Sequence, residues 1–246
     1  MRGLPVIDMR YWLLLVVASL CGTNLGDFAS GSLNLGFLGA FPAFAIVFVA
    51  IVLAAPRAAF MPESFYWLAI VVSRAGATDL ADFATHQLRL PFPALLAAAL
   101  FALGAVIRIG AWLGQSTLAV TMSPQGSSTA RPDPSATYWT AMLFVSAFGT
   151  MAGDYLADGL GLHRATLLTI AVTASAALWL GRIIDGSKLS YWVVVAAVRT
   201  AATNMGDFAA GEEGLHWGPA LSFAVSFAAL MVFTLATRSA AQTQAA

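Results

Sequence analysis

The fold class predicted from the sequence is all-α and integral to a membrane: eight transmembrane helices forming four in-register helix-pair repeats, arranged as two parallel halves. Three observations predict it. Hydrophobic residues make up 59% of the 246-residue chain and charged residues only 10%, with a mean hydropathy of +0.80, so long stretches lack any group that water must solvate. The polar residues cluster between apolar runs close to the ~20 residues a helix needs to cross a bilayer. A pattern also recurs four times: a Tyr-Trp pair, a Thr eleven residues after the Trp and an Asp fifteen after it. The copies are Tyr11-Trp12 with Thr23 and Asp27, Tyr66-Trp67 with Thr78 and Asp82, Tyr138-Trp139 with Thr150 and Asp154, and Tyr191-Trp192 with Thr203 and Asp207.

The runs lie at roughly 11–29, 35–55, 65–85, 92–113, 137–157, 163–181, 189–209 and 217–237. The first could pass for a signal peptide, because Arg2 and Arg10 precede an apolar core. Its register with the later copies argues that it is a span. Cys21 reads as a small packing residue, and one Cys supplies neither a disulfide nor a thiolate metal cluster. Spans three, five and seven repeat the polar pattern of span one, with Ala81 replacing the Gly of Gly-Asp-Phe/Tyr in the second copy. The even spans are almost purely apolar. A Leu eight residues after each Asp (Leu35, Leu90, Leu162, Leu215) carries the register across each loop. The short alternating stretches of a membrane β-barrel are absent.

Residues 1–121 form the first half with spans one to four, 122–136 a cytoplasmic linker rich in Ser, Pro and Gly, 137–238 the second half with spans five to eight, and 239–246 a disordered tail. Seven basic residues (Arg2, Arg10, Arg57, Arg131, Arg182, Lys188, Arg238) fall on one side and two (Arg89, Arg164) on the other. That bias places both termini in the cytoplasm and the chain in a plasma (inner) membrane. Zero net charge and the lack of a basic surface exclude nucleic acid as a partner.

Within each odd span the polar residues keep a step of four, which stacks them along one helix face. Positions 7, 11, 15 and 19 after the Trp read Ser19, Thr23, Asp27, Gly31; Arg74, Thr78, Asp82, His86; Ser146, Thr150, Asp154, Asp158; and Arg199, Thr203, Asp207, Gly211. Lipid cannot solvate such stripes, so the odd helices should form an inner ring with the even helices outside. An Asp in a membrane helix costs about 2.5 to 3.5 kcal/mol on insertion scales, so four at one depth mark a functional site. Asn24, Asp79 and Asn204 follow the Thr in copies one, two and four. Carboxylates, hydroxyls and amides are hard oxygen ligands, suited to alkali, alkaline-earth or manganese ions or to protons.

Blander readings accompany each feature. The Tyr-Trp pairs read as interfacial anchors, the Thr row as backbone-capping or close-packing groups, and the Asp row as structural. Arg74 and Arg199, eight residues before Asp82 and Asp207, read as counter-charges. His86 and Asp158 read as loop-side groups. His163 and His216, with Glu212 and Glu213, offer a weak outer metal-capture site.

Taken whole, residues 9–237 resemble a family of uncharacterised bacterial multi-pass proteins described as membrane-anchored, which repeat Tyr/Phe-Trp followed by Thr-x-x-Gly-Asp over paired helices. The resemblance implies the architecture and no settled activity. Members often carry a Lys three residues after the first Trp, where this chain has Leu15, so no role of that Lys transfers. Gly206-Asp207 and Pro219-Ala220-Leu221 are similar to the motifs of intramembrane aspartyl proteases, but the Gly-x-Gly-Asp and Tyr-Asp elements are missing.

The expected function is a cation transporter or channel, for a metal ion or proton, with the Asp row as the site and Thr and Asn completing it. The alternative is a non-transporting structural or sensory membrane component, and a protease is a minor third. The chain is not expected to be an enzyme or to hold a cofactor beyond a bound cation. Its expected partners are the lipid bilayer, that ion and further copies of itself.

Overall fold

The computed structural model describes residues 4–55, 62–122, 128–179 and 188–243. Arg2, Arg57 and Arg182, which carry part of the expected orientation, lie outside them, as do positions 123–127 of the expected linker and 244–246 of the expected tail. Among the described residues are eight long α-helices: α1 (Met9–Asp27), α2 (Gly36–Ala54), α3 (Pro62–Asp82), α4 (Phe92–Trp112), α5 (Ala136–Leu160), α6 (Leu162–Trp179), α7 (Lys188–Ala210) and α8 (Gly218–Thr243). Local sequence sets their starts. Asp8 caps α1 by accepting from the Tyr11 amide at 2.9 Å, and Ser135 caps α5 by accepting from that of Tyr138 at 3.2 Å. The turns beyond α1, α3 and α5 each use a residue of positive φ seven positions after the Asp: Asn34 (54°), Arg89 (51°) and Gly161 (81°).

The α1 and α3 helices run on into π-helical turns, Phe28–Ser32 and Phe83–Gln87, directly after Asp27 and Asp82. No such turn follows Asp154 or Asp207. Helix α8 continues to Thr243, so Ser239–Thr243 are helical where composition signals an irregular tail. The segment expected as a linker carries an antiparallel hairpin, β1 (Leu118–Met122) with β2 (Ser128–Pro132), pairing Val120 with Ala130. This hairpin straps down the N-terminal segment: the Ile7 amide donates to the Ala130 carbonyl at 2.9 Å, and Arg131 donates to that of Leu4.

The odd helices close into a ring, α1 against α3, α3 against α5, α5 against α7 and α7 against α1. Each even helix packs mainly on the odd helix that follows it in the cycle: α2 on α3, α4 on α5, α6 on α7 and α8 on α1. Every repeat therefore covers the next, and the last covers the first. The outward faces of the even helices are apolar, with Leu38, Ile46, Phe101 and Leu167 all exposed. By length and composition α2, α4, α8 and Met9–Ser32 are long and apolar enough to cross a membrane. Helices α3, α5 and α7 fall short on composition because they carry most of the polar axis, and α6 because of its Thr residues and its His163-Arg164 start.

The fourfold pattern is tightened in pairs. A Cβ at Gly22 of α1 would lie 2.6 Å from the Arg74 Cβ and the Val71 carbonyl oxygen of α3, and one at Gly153 of α5 would lie 2.8 Å from the Thr203 Cβ of α7. Only glycine allows these approaches, so α1 locks to α3 and α5 to α7, inside the two halves. The inner-helix seams between the halves are looser: a Cβ at Gly206 of α7 would lie 3.2 Å from Thr23 Cγ2 of α1, and the tight glycine approach across the halves, Gly110 against Thr137, belongs to the outer helix α4 on α5. A 180 Å³ groove lined by Phe44, Phe48, Val72 and Trp139 lies between α2, α3 and α5, and a 270 Å³ one lined by Trp12, Ile170, Val198 and Met205 lies between α1, α6 and α7.

Candidate functional site

The four-residue step converts each inner helix into the same vertical sequence of side chains, and the ring stacks them into layers. At one end stand Tyr11, Tyr66, Tyr138 and Tyr191. Their hydroxyls form a closed cycle, with O–O distances of 2.8 Å (Tyr11–Tyr66), 2.6 Å (Tyr66–Tyr138), 2.9 Å (Tyr138–Tyr191) and 2.7 Å (Tyr191–Tyr11). Each Tyr ring meets its own Trp edge-on at 5.1 to 5.2 Å. It also tilts against the next repeat's Trp, as Tyr11 does on Trp67 at 5.5 Å and Tyr191 on Trp12 at 5.8 Å. All four Tyr and three of the four Trp are buried, and Trp139 partly so. The reading of these pairs as interfacial anchors is therefore corrected: hydroxyls that bond one another need no water, and the rings fill the bundle's core.

The next layer is Leu15, Ile70, Met142 and Val195, each fully buried. Beyond it Ser19, Arg74, Ser146 and Arg199 are also buried without exposure. Arg74 Nε donates to Thr23 Oγ1 at 3.1 Å, and its terminal nitrogens donate to the Ser146 and Arg199 carbonyls and, at 2.5 Å, to Thr203 Oγ1. Arg199 donates to Ser19 Oγ at 2.9 Å and contacts Met142 Sδ at 3.1 Å. Neither pairs with an Asp: the ion pair among the described residues is Arg10–Glu63, at 3.0 Å near the Tyr end. The expected counter-charges thus sit below the carboxylates, bonded to neutral groups.

Above the Arg layer a cavity of about 490 Å³ opens at the opposite end. Thr23, Thr78, Thr150 and Thr203 line it with Asp27, Asp82, Asp154 and Asp207, and its walls include Phe37, Phe92, His86, Asp158 and Glu213. No ion pair among the described residues reaches the four Asp, and one Asp154 oxygen is buried without a partner. Two of the four Thr have a definite polarity. Thr23 and Thr203 accept from Arg74 while their hydroxyls donate to the Ser19 and Arg199 carbonyls, both at 3.2 Å. That leaves a lone pair, not a proton, for the cavity. Lined by four carboxylates and, at Thr23 and Thr203, by acceptor hydroxyls, the space suits a cation or a donor.

Eight of the eleven predicted site residues therefore share one cavity, and Asn24, Asp79 and Asn204 do not line it. One residue past the Thr is a rotation of about 100° around a helix, which points these three into the seams. Asn24 donates to the Leu20 carbonyl at 3.1 Å and Asn204 to Thr169 Oγ1 at 3.3 Å. Asp79 is fully buried, and neither carboxylate oxygen has a hydrogen-bond partner in the structure. His163 packs edge-on against Phe208 at 5.0 Å, and Glu213 joins the cavity. No three His, Cys, Asp or Glu among the described residues stand close enough to hold a metal ion, at the Asp row or at the expected outer site. Carboxylates on four helices around an axis are held apart by the helices that carry them.

Sequence reasoning missed the Tyr ring and the Phe walls, though both had a signal. Tyr lies one residue before the Trp, on the same four-step stripe continued two turns back. Phe37 and Phe92 each stand ten residues after an Asp. Compared with known families, the chain matches a model described as Repeat of Unknown Function (DUF347) at residues 10–59 and 137–182. These segments begin at the first and third Tyr-Trp pairs and cover repeats one and three, consistent with an uncharacterised repeat family. Neither the curated proteins nor the solved structures include a match.

Proposed function

We propose that the chain is a cation carrier of a bacterial inner membrane, with all eight helices crossing the bilayer, both termini cytoplasmic and the Asp-lined cavity opening on the other side. A ring around a polar axis is stable in lipid only if each member is shielded along its length, which supports spans for α3, α5, α6 and α7 beside the more apolar helices. The observation that carries the function is the convergence of four Thr and four Asp, from four helices, on one cavity that holds no permanently cationic side chain.

The absence of a compact three-ligand cluster among the described residues favours a proton, or an ion that keeps most of its water, over a chelated metal. About 490 Å³ has room for on the order of ten waters around such an ion. An open pore is disfavoured because two guanidiniums and the Tyr cycle occupy the axis below the site.

The test is flux in liposomes holding the purified protein, with Na⁺, K⁺, Mg²⁺, Mn²⁺ and H⁺ offered in turn, with and without a pH gradient. Uptake that is lost in Asp82→Asn and Asp207→Asn supports the carrier. The same closure of the axis favours one second reading, a membrane component that binds without transporting. Cation-dependent stabilisation without flux would point there.

A further inference from the structure

We infer that the tyrosine cycle, with the arginine layer behind it, is the closed inner gate of the carrier, and that it opens by the two halves parting along their loose seams. The inference rests on the transport reading and names how its site is regulated. Two cavities face each other across the plug. The Asp cavity lies on one side; on the other a 280 Å³ cavity is lined by Asp8, Arg10, Tyr11, Glu63 and Arg131 under the strapped N-terminal segment. Tyr and Thr layers are twelve residues apart, roughly 18 Å of helix at 1.5 Å per residue, and every layer between them is buried.

The cycle is suited to switching because its hydrogen bonds balance in both states. When closed, each hydroxyl donates one bond and accepts one within the ring, so no donor is left for water. When open, the same four hydroxyls would bond water along the path. The break line is also built in. Glycine contacts lock α1 to α3 and α5 to α7, while the bonds Tyr66–Tyr138 and Tyr11–Tyr191, the Arg74 bonds to Ser146 and Thr203, and the Arg199 bond to Ser19 cross between halves. Apolar grooves flank those two seams and leave room for the inner helices to shift. Helices α4 and α8 pack mainly on α5 and α1, across the sequence halves, so α4 moves with α5 and α7, and α8 with α1 and α3, when the seams part.

The test reads water access and needs no transported ion. In a Cys21→Ala background, Leu15→Cys places a thiol in the apolar layer directly behind the ring, and a membrane-impermeant maleimide is offered to each face of the membrane. With the ring intact the thiol should react slowly from the Tyr side. Tyr66→Phe with Tyr191→Phe removes all four ring bonds and strands the Tyr11 and Tyr138 hydroxyls, so water should enter and labelling should rise at least tenfold. Replacing all four Tyr by Phe restores a dry plug with no stranded hydroxyl, and labelling should fall back.

No rise in the double variant, or a further rise in the quadruple variant, overturns the gate, the latter because it would report general loosening. If the double variant does not fold, Tyr138→Phe alone still opens the cycle and leaves the Tyr66 and Tyr191 hydroxyls each one partner short, and an unchanged rate there also overturns it. A gate that behaves as stated in a protein without cation flux would refute the carrier and leave the gate standing.

Discussion

At the Tyr end of the bundle every axial hydroxyl is bonded to its neighbours, while sixteen residues further along the same helices four carboxylates face an open cavity without an ion-pair partner. The two layers share one architecture: the same helices, the same face, one residue type repeated four times. They differ in whether the groups can satisfy one another. Hydroxyls donate and accept, so four of them close a ring and exclude water. Carboxylates only accept when ionised, so four of them require something from outside. A protein that wanted only a sealed polar core could have repeated the tyrosine solution.

The contrast breaks most severely where packing is tightest. Gly22→Ala and Gly149→Ala each drive a methyl into the neighbouring inner helix, and overpacking of this kind costs about 1 to 3 kcal/mol per site. The sites lie in different halves, so the pair should lose on the order of 3 kcal/mol or more in thermal unfolding. Gly31→Ala, beyond the Asp row with nothing within 4 Å of the added Cβ, should be within about 1 kcal/mol of the parent. Equal losses at all three would remove the distinction between a packed end and an open one.

Next in size is the cation response. Asp82→Asn with Asp207→Asn keeps the shape of the ring and removes two of its four charges. A cation at a hundred times its Kd stabilises a single-site protein by about 2.7 kcal/mol. That increment, read as a shift of the melting transition, should vanish in the double variant while the ion-free transition stays in place. A lowered ion-free transition with no ion response in the parent would make the Asp row structural.

Smaller again is one member of the cycle. Tyr138→Phe removes two hydroxyl bonds and leaves the Tyr66 and Tyr191 hydroxyls each one partner short, at a cost of about 1 to 2 kcal/mol without loss of the cation response. If the same substitution removed the ion response and left stability unchanged, the Tyr layer would belong to the site.

The stacked layers explain what could be read from the chain. A four-residue step and an apolar partner helix dictate the inner ring and the outer shell, and the Thr and Asp layers follow directly because lipid cannot solvate them. The Tyr layer followed from the same step, yet Tyr beside Trp also fits an interfacial belt, and period alone does not separate a core aromatic from an anchoring one. The partners of Arg74 were illegible for another reason. Its contacts, Thr23, Ser146 and Thr203, come from three other helices, 51 to 129 residues away in sequence, and follow from the order of helices around the ring, which no single repeat encodes. The hairpin strap lies in a Ser- and Pro-rich stretch whose composition masks two short strands.

Asp79 supplies the smallest effect and a sharp test of where the site ends. It is one residue past Thr78, where repeats one and four have Asn24 and Asn204, and it lies in a seam with both carboxylate oxygens unpartnered. Asn24 shows what an amide does at this position: its Nδ2 donates to the carbonyl four residues earlier, a bond a carboxylate has no proton to make. Asp79→Asn should gain the equivalent bond to the Ala75 carbonyl and lose a buried acidic group, raising stability by roughly 1 kcal/mol. Because Asp79 does not line the cavity, the cation-induced shift should be the same in the variant as in the parent. Loss of that shift would move the boundary of the site from the axis into the α1–α3 seam, and make Asp79 a fifth carboxylate of the ion pathway.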